Sequence, residues 1–246
     1  MANFRLDLCY DGSRYRGWQR LGDSEHTIQG KLEQVISRMV GKPTEVIGSG
    51  RTDGGVHAMG QVANFHAETA LSSAEILSYL RRYLPEDIGV MAVTQVDPRF
   101  HSRYQALEKT YRYRIWNADM PCVFERKYVW QLPEPLNTDA MAAGAALLLG
   151  THDFLPFSSL KRSKKSTVRT LRKLDIARVG PELQITAVAD GFLYHMVRIL
   201  VGTLVEFGQG KLPTSEISAI FESGVRADAG QTAPPQGLCL MEVRYP

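Results

Sequence analysis

Apolar and polar positions alternate along the chain with two different periods, and the switches between them lay out the elements. Phe4, Leu6, Leu8 and Tyr10 interleave with Arg5, Asp7 and Cys9, the period of a half-buried strand that Asp11-Gly12 ends. From Thr27, an N-cap by residue type, Ile28, Leu32, Val35, Ile36 and Met39 recur at helical spacing, and Gly41 supplies the stop. A strand runs from Thr44 towards Ile47, and residues 61–66 alternate as another. Ser72 with Glu75 reads as a capping box for a helix carrying Ile76, Leu77, Leu80 and Leu84, closed by Pro85. The β-branched run 88–96 is a fourth strand. Strand, helix, strand, strand, helix, strand is the order of the split βαβ, ferredoxin-like unit, with one open sheet face and helices covering the other.

After residues 97–106 the order begins again. Residues 110–116 alternate strictly, Asn137 caps a helix through Met141, Ala145 and Leu148 that ends at Gly150, and 169–179 and 182–189 are strands broken by Gly180-Pro181. A long helix over 193–207, a short one over 214–221 and a strand over 238–245 complete the chain. The halves share element order and no residue-level repeat. The expectation is an α+β protein of two tandem ferredoxin-like halves, residues 1–104 and 105–246. They would join around a central mixed, mostly antiparallel sheet, with helices on one side and a cleft between them.

One loop departs from this regularity. Gly48 to Ala58 packs four glycines with Arg51, Asp53 and His57 into eleven residues, right after the strand-like Glu45, Val46 and Ile47. Glycines let a backbone approach another molecule closely, so such a loop can hold Arg51, Asp53 and His57 out from a rigid sheet. An Asp-Gly step between strands is also the usual mark of a hairpin turn, in which Asp53 only shapes the backbone. The Arg and His beside it are more than a turn needs. Asp53, ionised at neutral pH, is suited to act as a nucleophile or base.

Composition narrows the class of protein. At 246 residues and 44% hydrophobic content the chain can build a sizeable core, and no apolar run is long enough to span a bilayer. The N-terminus begins directly with strand character and lacks a signal-peptide core, so a cytoplasmic protein is expected. Three widely spaced cysteines, Cys9, Cys122 and Cys239, fit neither a disulfide framework nor a zinc spacing. No histidine stands at a metal-ligating spacing, and there is no Walker loop or dinucleotide fingerprint, so neither a metal nor a nucleotide cofactor is expected.

The formal net charge of +3 hides a concentration. Lys161, Arg162, Lys164, Lys165, Arg169, Arg172 and Lys173 put seven positive charges in thirteen residues, and removing those seven from +3 leaves −4 for everything else. Such a run is either a footprint for a polyanion or a solvated loop. Residues 13–20 interleave Arg14, Arg16 and Arg20 with Tyr15 and Trp18, a composition suited to phosphate contacts and base stacking, or to a polar loop over a buried Trp18. Tyr111 and Tyr113 share one strand face opposite Arg112 and Arg114; one of the tyrosines is placed to stack on a base, or both are core. Arg198, amid apolar helix residues, requires a partner if buried, and Asp53 is a suitable one; a snorkelling arginine is the alternative. A cleft with aromatics, arginines and one poised carboxylate suggests an RNA-binding cleft and chemistry on a nucleobase.

Gly50-Arg51-Thr52-Asp53-Gly54-Gly55-Val56-His57-Ala58 resembles the signature of the TruA family of tRNA pseudouridine synthases. So, in order, do Tyr10-Asp11-Gly12 with Gly17-Trp18-Gln19, Phe100-His101-Ser102-Arg103, Lys109-Thr110-Tyr111-Arg112-Tyr113, His195-Met196-Val197-Arg198 and the end from Gly237-Leu238 to Tyr245-Pro246. The resemblance spans nearly the whole chain, with Gly54 standing where the family more often has Ala. It implies an isomerase that converts uridine to pseudouridine at positions 38, 39 and 40 of the tRNA anticodon stem-loop, without a cofactor. It implies Asp53 as nucleophile, Arg198 as its salt-bridge partner, and Tyr111 stacking on the uracil and helping to remove the C5 proton. Arg51, Leu238 and the basic residues Lys161, Arg162, Lys164 and Lys165 would contact the RNA, in a homodimer whose tRNA touches both subunits. A non-catalytic RNA-binding module needs no Asp53 and Arg198 pair, and a metal-dependent phosphodiesterase would use Asp53, His57 and His101.

Overall fold

The structure is a computed structural model that describes residues 1–22, 24, 26–160 and 166–246. It is α+β. In chain order it holds β1 (Ala2–Tyr10), α1 (Ile28–Val40), β2 (Ile47–Gly48), β3 (His57–Ala67), α2 (Ser73–Tyr83), β4 (Ile88–Val96), β5 (Glu108–Trp116) and β6 (Trp130–Gln131). There follow α3 (Thr138–Leu148), β7 (Gly150–Asp153), β8 (Val168–Val179), β9 (Glu182–Ala189), α4 (Met196–Gly208), α5 (Ile217–Ser223) and β10 (Leu238–Arg244). Two compact units emerge, one of Met1–Leu107 with Leu240–Pro246, the other of Glu108–Cys239.

In the first unit the strand order is β4, β1, β3, with β2 also on β3. Every pairing is antiparallel, the geometry of a split βαβ unit. Phe4 lies opposite Phe65 and stacks on it at 5.4 Å between ring centroids. Leu6 and Leu8 of β1 are fully buried, as are Leu32 and Ile36 of α1 and Ile76 and Leu80 of α2. The caps are those that residue type dictates. The Thr27 side chain accepts from Gly30 N–H, Gly41 closes α1 in the left-handed region, and Ser72 and Glu75 form the reciprocal capping box of α2.

In the second unit the order is β5, β9, β8, β7, antiparallel throughout, while β6 lies parallel on β5. Gly180, at φ 58°, and Pro181 form a two-residue turn between β8 and β9. Asn137 caps α3 through the N–H groups of Asp139 and Ala140. β10 completes the order strand, helix, strand, strand, helix, strand a second time.

Several boundaries move for physical reasons. β3 starts at His57, four residues before the alternation becomes legible, because Gly60 and exposed Met59 mask its period. Gly150 does not merely stop α3: at φ 112° it opens the short strand β7. The helix expected from Leu193 begins at Met196, since His195 takes a left-handed conformation at φ 64°.

Candidate active-site residues

Asp53 sits in a loop that is locked from both sides within the first unit. Its backbone forms an isolated antiparallel bridge with Gly17, and Trp18 N–H donates to Thr52 O at 3.0 Å. Gly17 adopts φ 107°, and a Cβ there would lie 2.6 Å from Thr52 O, so only glycine permits the approach. Val56 N–H donates to Asp53 O at 3.2 Å and Gly55 is at φ 79°, so residues 53–56 do form the turn that an Asp-Gly step signals. The positive φ falls on Gly55, however. Asp53 is a partly exposed residue at the turn's first position, and Arg51, two residues before it, is exposed.

His57, at 6% exposure, receives a structural role. Its Nδ1 accepts from Gly12 N–H at 3.0 Å and lies 3.1 Å from an Asp11 carboxylate oxygen. One ring nitrogen cannot accept from the first and donate to the second. The backbone N–H can only donate, so this bond makes Nδ1 the acceptor, with the Asp11 carboxylate close beside it. His101 Nδ1 likewise accepts from the backbone N–H groups of Arg103 and Tyr104. Both rings that a phosphodiesterase would use are turned to backbone donors, and among the described residues no group of three or more His, Cys, Asp or Glu is placed to hold a metal ion.

The base-stacking expectation for residues 13–20 is corrected. Trp18 is 2% exposed, and Tyr15 is buried with its hydroxyl bonded to Asp87. Burial, then that bond, push the Tyr15 hydroxyl well above the ordinary tyrosine range. Arg14, Arg16 and Arg20 are all exposed, with Arg20 paired to buried Glu33 at 3.0 Å and Arg14 3.7 Å from the Asp87 carboxylate. The aromatics of this segment are core because they pack beneath the Asp53 loop.

In the second unit Arg198 is half-buried on α4, a helix otherwise almost wholly buried. Its Nε donates to Ala233 O at 2.7 Å while its backbone carbonyl accepts from Ala233 N–H at 3.0 Å. A strap over residues 229–234 thereby lies directly on α4; at Gly202 a Cβ would meet Gln231 O at 1.8 Å. Tyr113 joins the same strap, its hydroxyl donating to Pro234 O at 2.7 Å. Tyr113 is fully buried core, and burial raises its hydroxyl far above the usual range. Tyr111, on the same face, is 7% exposed with its ring edge-on to Phe192 at 5.1 Å. Leu238, immediately after the 3-10 turn Pro235–Gly237, is buried at 5%. Asp53 belongs to one unit, and Tyr111, Arg198 and Leu238 to the other.

The opposite face of β5 carries ions. Arg114 bonds Glu182 at 2.8 and 2.5 Å and also contacts Glu125. Burial pushes the Glu182 carboxyl up, but the Arg114 guanidinium, the Gln184 amide and the Arg112 charge together outweigh it and hold the group below the ordinary glutamate range. Lys161, Arg162, Lys164 and Lys165 lie outside the described residues. Of the rest of the basic run, Arg172 pairs with Glu108 at 3.2 Å and Lys173 with Asp175 at 2.9 Å, which shrinks the charge left for a polyanion.

A family model described as tRNA pseudouridine synthase matches residues 9–105 and 145–246. The tRNA pseudouridine synthase A of Bacillus sp. (strain KSM-64) is 49% identical over the full length of both chains. Proteins named tRNA pseudouridine synthase A 2 from Bacillus anthracis and tRNA pseudouridine synthase A from Acetivibrio thermocellus are 45% and 42% identical, again over all of each chain. The fold and these matches define the class as pseudouridine synthase, an isomerase. Within that class the chain belongs to the tRNA pseudouridine synthase A family, whose reaction is pseudouridine formation in tRNA. The reading as a non-catalytic RNA-binding module gives way to an enzyme.

No helix among the described residues is long and apolar enough to cross a membrane.

Proposed function

We propose that this enzyme isomerises uridines at positions 38, 39 and 40 of the tRNA anticodon stem-loop, with Asp53 as the nucleophile. The observation that carries the reading is the Asp53 loop itself: a partly exposed aspartate whose backbone is bonded on both sides. A nucleophile held this way loses little freedom on reaching a near-attack geometry.

The reaction breaks the N1 to C1′ glycosidic bond, turns the retained base and joins C5 to C1′; C5 loses a proton and N1 gains one. It is redox-neutral and consumes nothing. Arg198 supplies the cation that orients the Asp53 carboxylate, and its bond to Ala233 O limits the guanidinium's freedom. Tyr111, small in exposure but at a ring edge rather than in the sealed position of Tyr113, stacks on the uracil and assists removal of the C5 proton. Arg51, exposed two residues from Asp53, holds the RNA open around the extruded nucleotide. Leu238 lines the base's surroundings, and Lys161, Arg162, Lys164 and Lys165 contact the backbone of a tRNA that touches both subunits of a homodimer. A tRNA substrate supports a cytoplasmic location.

Incubation with unmodified tRNA and no added cofactor, followed by mapping of pseudouridine, tests the reading. Wild-type protein should modify positions 38 to 40. Asp53→Asn should form none while binding tRNA within about twofold of wild type, because binding rests on distributed phosphate contacts; pseudouridine at the wild-type rate from that variant removes Asp53 from the chemistry. Replacing Lys161, Lys164 and Lys165 together with Ala should weaken binding and lower the slope of log K against log salt by about 2. An unchanged slope would show a solvated loop.

A further inference from the structure

Beneath the Asp53 loop lies a fully buried carboxamide that the reaction as described does not use. Gln61, in the middle of β3, is 0% exposed. Its Oε1 accepts from the Ser49 hydroxyl at 2.6 Å and from Val62 N–H at 3.2 Å. Its Nε2 donates to Gly50 O at 3.1 Å and to the Tyr10 hydroxyl oxygen at 3.3 Å. A backbone N–H can only donate and a carbonyl can only accept, so the amide has one permitted orientation. The Tyr10 hydroxyl in turn shares a hydrogen bond with the Thr52 hydroxyl, 2.9 Å away. Tyr10 and Thr52 are themselves buried, at 5% and 7%.

One side chain thus reaches Ser49, Gly50 and, through Tyr10, Thr52: three of the four residues that lead into Asp53 on that side, Arg51 being the exposed one. Beyond Asp53 the chain is fastened by the 53–56 turn and by Gly12 N–H on His57. A buried apolar residue at 61 would fill the same space without requiring partners. A saturated polar network instead prescribes direction, since each bond is satisfied in a single arrangement.

We propose that Gln61, acting through Tyr10 and Thr52, is a positioning device that sets the aim of the Asp53 carboxylate. The proposal rests on Asp53 being the nucleophile. Thr52→Val is the sharpest probe, because it deletes the hydroxyl and keeps the shape. The single-turnover rate of pseudouridine formation, tRNA affinity and melting temperature are measured for Thr52→Val, Thr52→Ser, Gln61→Met and Asp53→Asn.

Thr52→Val should slow the chemical step at least about tenfold, the scale of a sub-ångström misplacement of a reacting group, with tRNA affinity within about twofold. Thr52→Ser should recover most of the rate, which a packing role would not produce since serine lacks the methyl. Gln61→Met should be slower still; if it does not fold, Tyr10→Phe, which removes only the hydroxyl, takes its place. A wild-type rate for Thr52→Val, a serine variant as slow as valine, or a loss confined to affinity each overturns the proposal. Should Asp53→Asn stay active, the nucleophile reading fails instead. An inactive Asp53→Asn beside a fully active Thr52→Val sinks the positioning role alone.

Discussion

Asp53 and Arg198 are held by opposite means. Around Asp53 the ties are neutral hydrogen bonds and close backbone contact: the Gly17 bridge, Trp18 N–H on Thr52 O, and the Gln61 amide below. Arg198 rides on a buried apolar helix, clamped through Ala233, in a unit whose strand β5 is tied on its far side by the Arg114, Glu182 and Glu125 ions. Both units place left-handed joints on glycine, Gly17 and Gly55 in the first and Gly150 and Gly180 in the second, but the second also places one on His195, kept at φ 64° with Nδ1 2.9 Å from the Ser159 hydroxyl and the ring stacked on Tyr194. The neutral bonds that tie the backbone around Asp53 do not titrate. Ion pairs hold strands firmly but answer to pH.

The comparison breaks hardest at Gly17. Gly17→Ala asks an L residue to adopt φ 107° with its Cβ 2.6 Å from Thr52 O. Strain plus the lost bridge should cost more than about 3 kcal/mol, read as a lower midpoint in chemical denaturation, and should abolish activity. A variant within about 0.5 kcal/mol of wild type would mean the Asp53 loop is not locked by backbone contact.

A second change tests the ionic side. Because the folded Glu182 carboxyl titrates below the unfolded one, its contribution is complete above the unfolded value of about 4.3 and drains as pH falls below it. Glu182→Gln should therefore cost about 1–2 kcal/mol at pH 7, discounted because Arg114 is partly exposed, and flatten the loss of melting temperature on acidification. An acid limb as steep as that of wild type would assign the titration to other carboxylates.

The smallest effect should have the opposite sign. Gly54 has no positive φ, and a Cβ there would meet nothing nearer than Arg16 C at 3.4 Å, ordinary contact. Gly54→Ala should stabilise by about 0.4–1 kcal/mol through the unfolded chain, with turnover unchanged or raised. Destabilisation would show that the turn after Asp53 needs glycine at its second position as well as at Gly55.

Much of the fold was legible because it is local. Thr27, Gly41, the Ser72 and Glu75 box and Asn137 each act within four residues of where they stand, so caps and helix ends could be read directly. The resemblance of the Gly50 to Ala58 run marked the family, and the matches to known proteins bear that out. For residues 13–20 the sequence left base stacking and a buried Trp18 both open, because the residues that touch the two aromatics, Gly48 at Trp18 and Asp87 at the Tyr15 hydroxyl, lie far along the chain. Gln61 carried a faint signal, a polar residue in the buried phase of a strand, as did Asn64, which bonds Asn3 and receives Ser102 N–H. Polarity at a buried position announces a partner without naming it.

By itself the sequence determined the order of the main elements and their helix caps, which reaction family the chain belongs to, and which carboxylate to watch. Those depend on short-range steric preference and on residue types that recur in order. Only the tertiary structure decided that Tyr113 is core, that Arg172 and Lys173 are already paired, that His57 accepts from Gly12, and that one buried amide holds three residues of the Asp53 loop. Apart from the Lys173 and Asp175 pair, each joins groups far apart in the chain. Their energies depend on distances and orientations that exist only once the strands have paired.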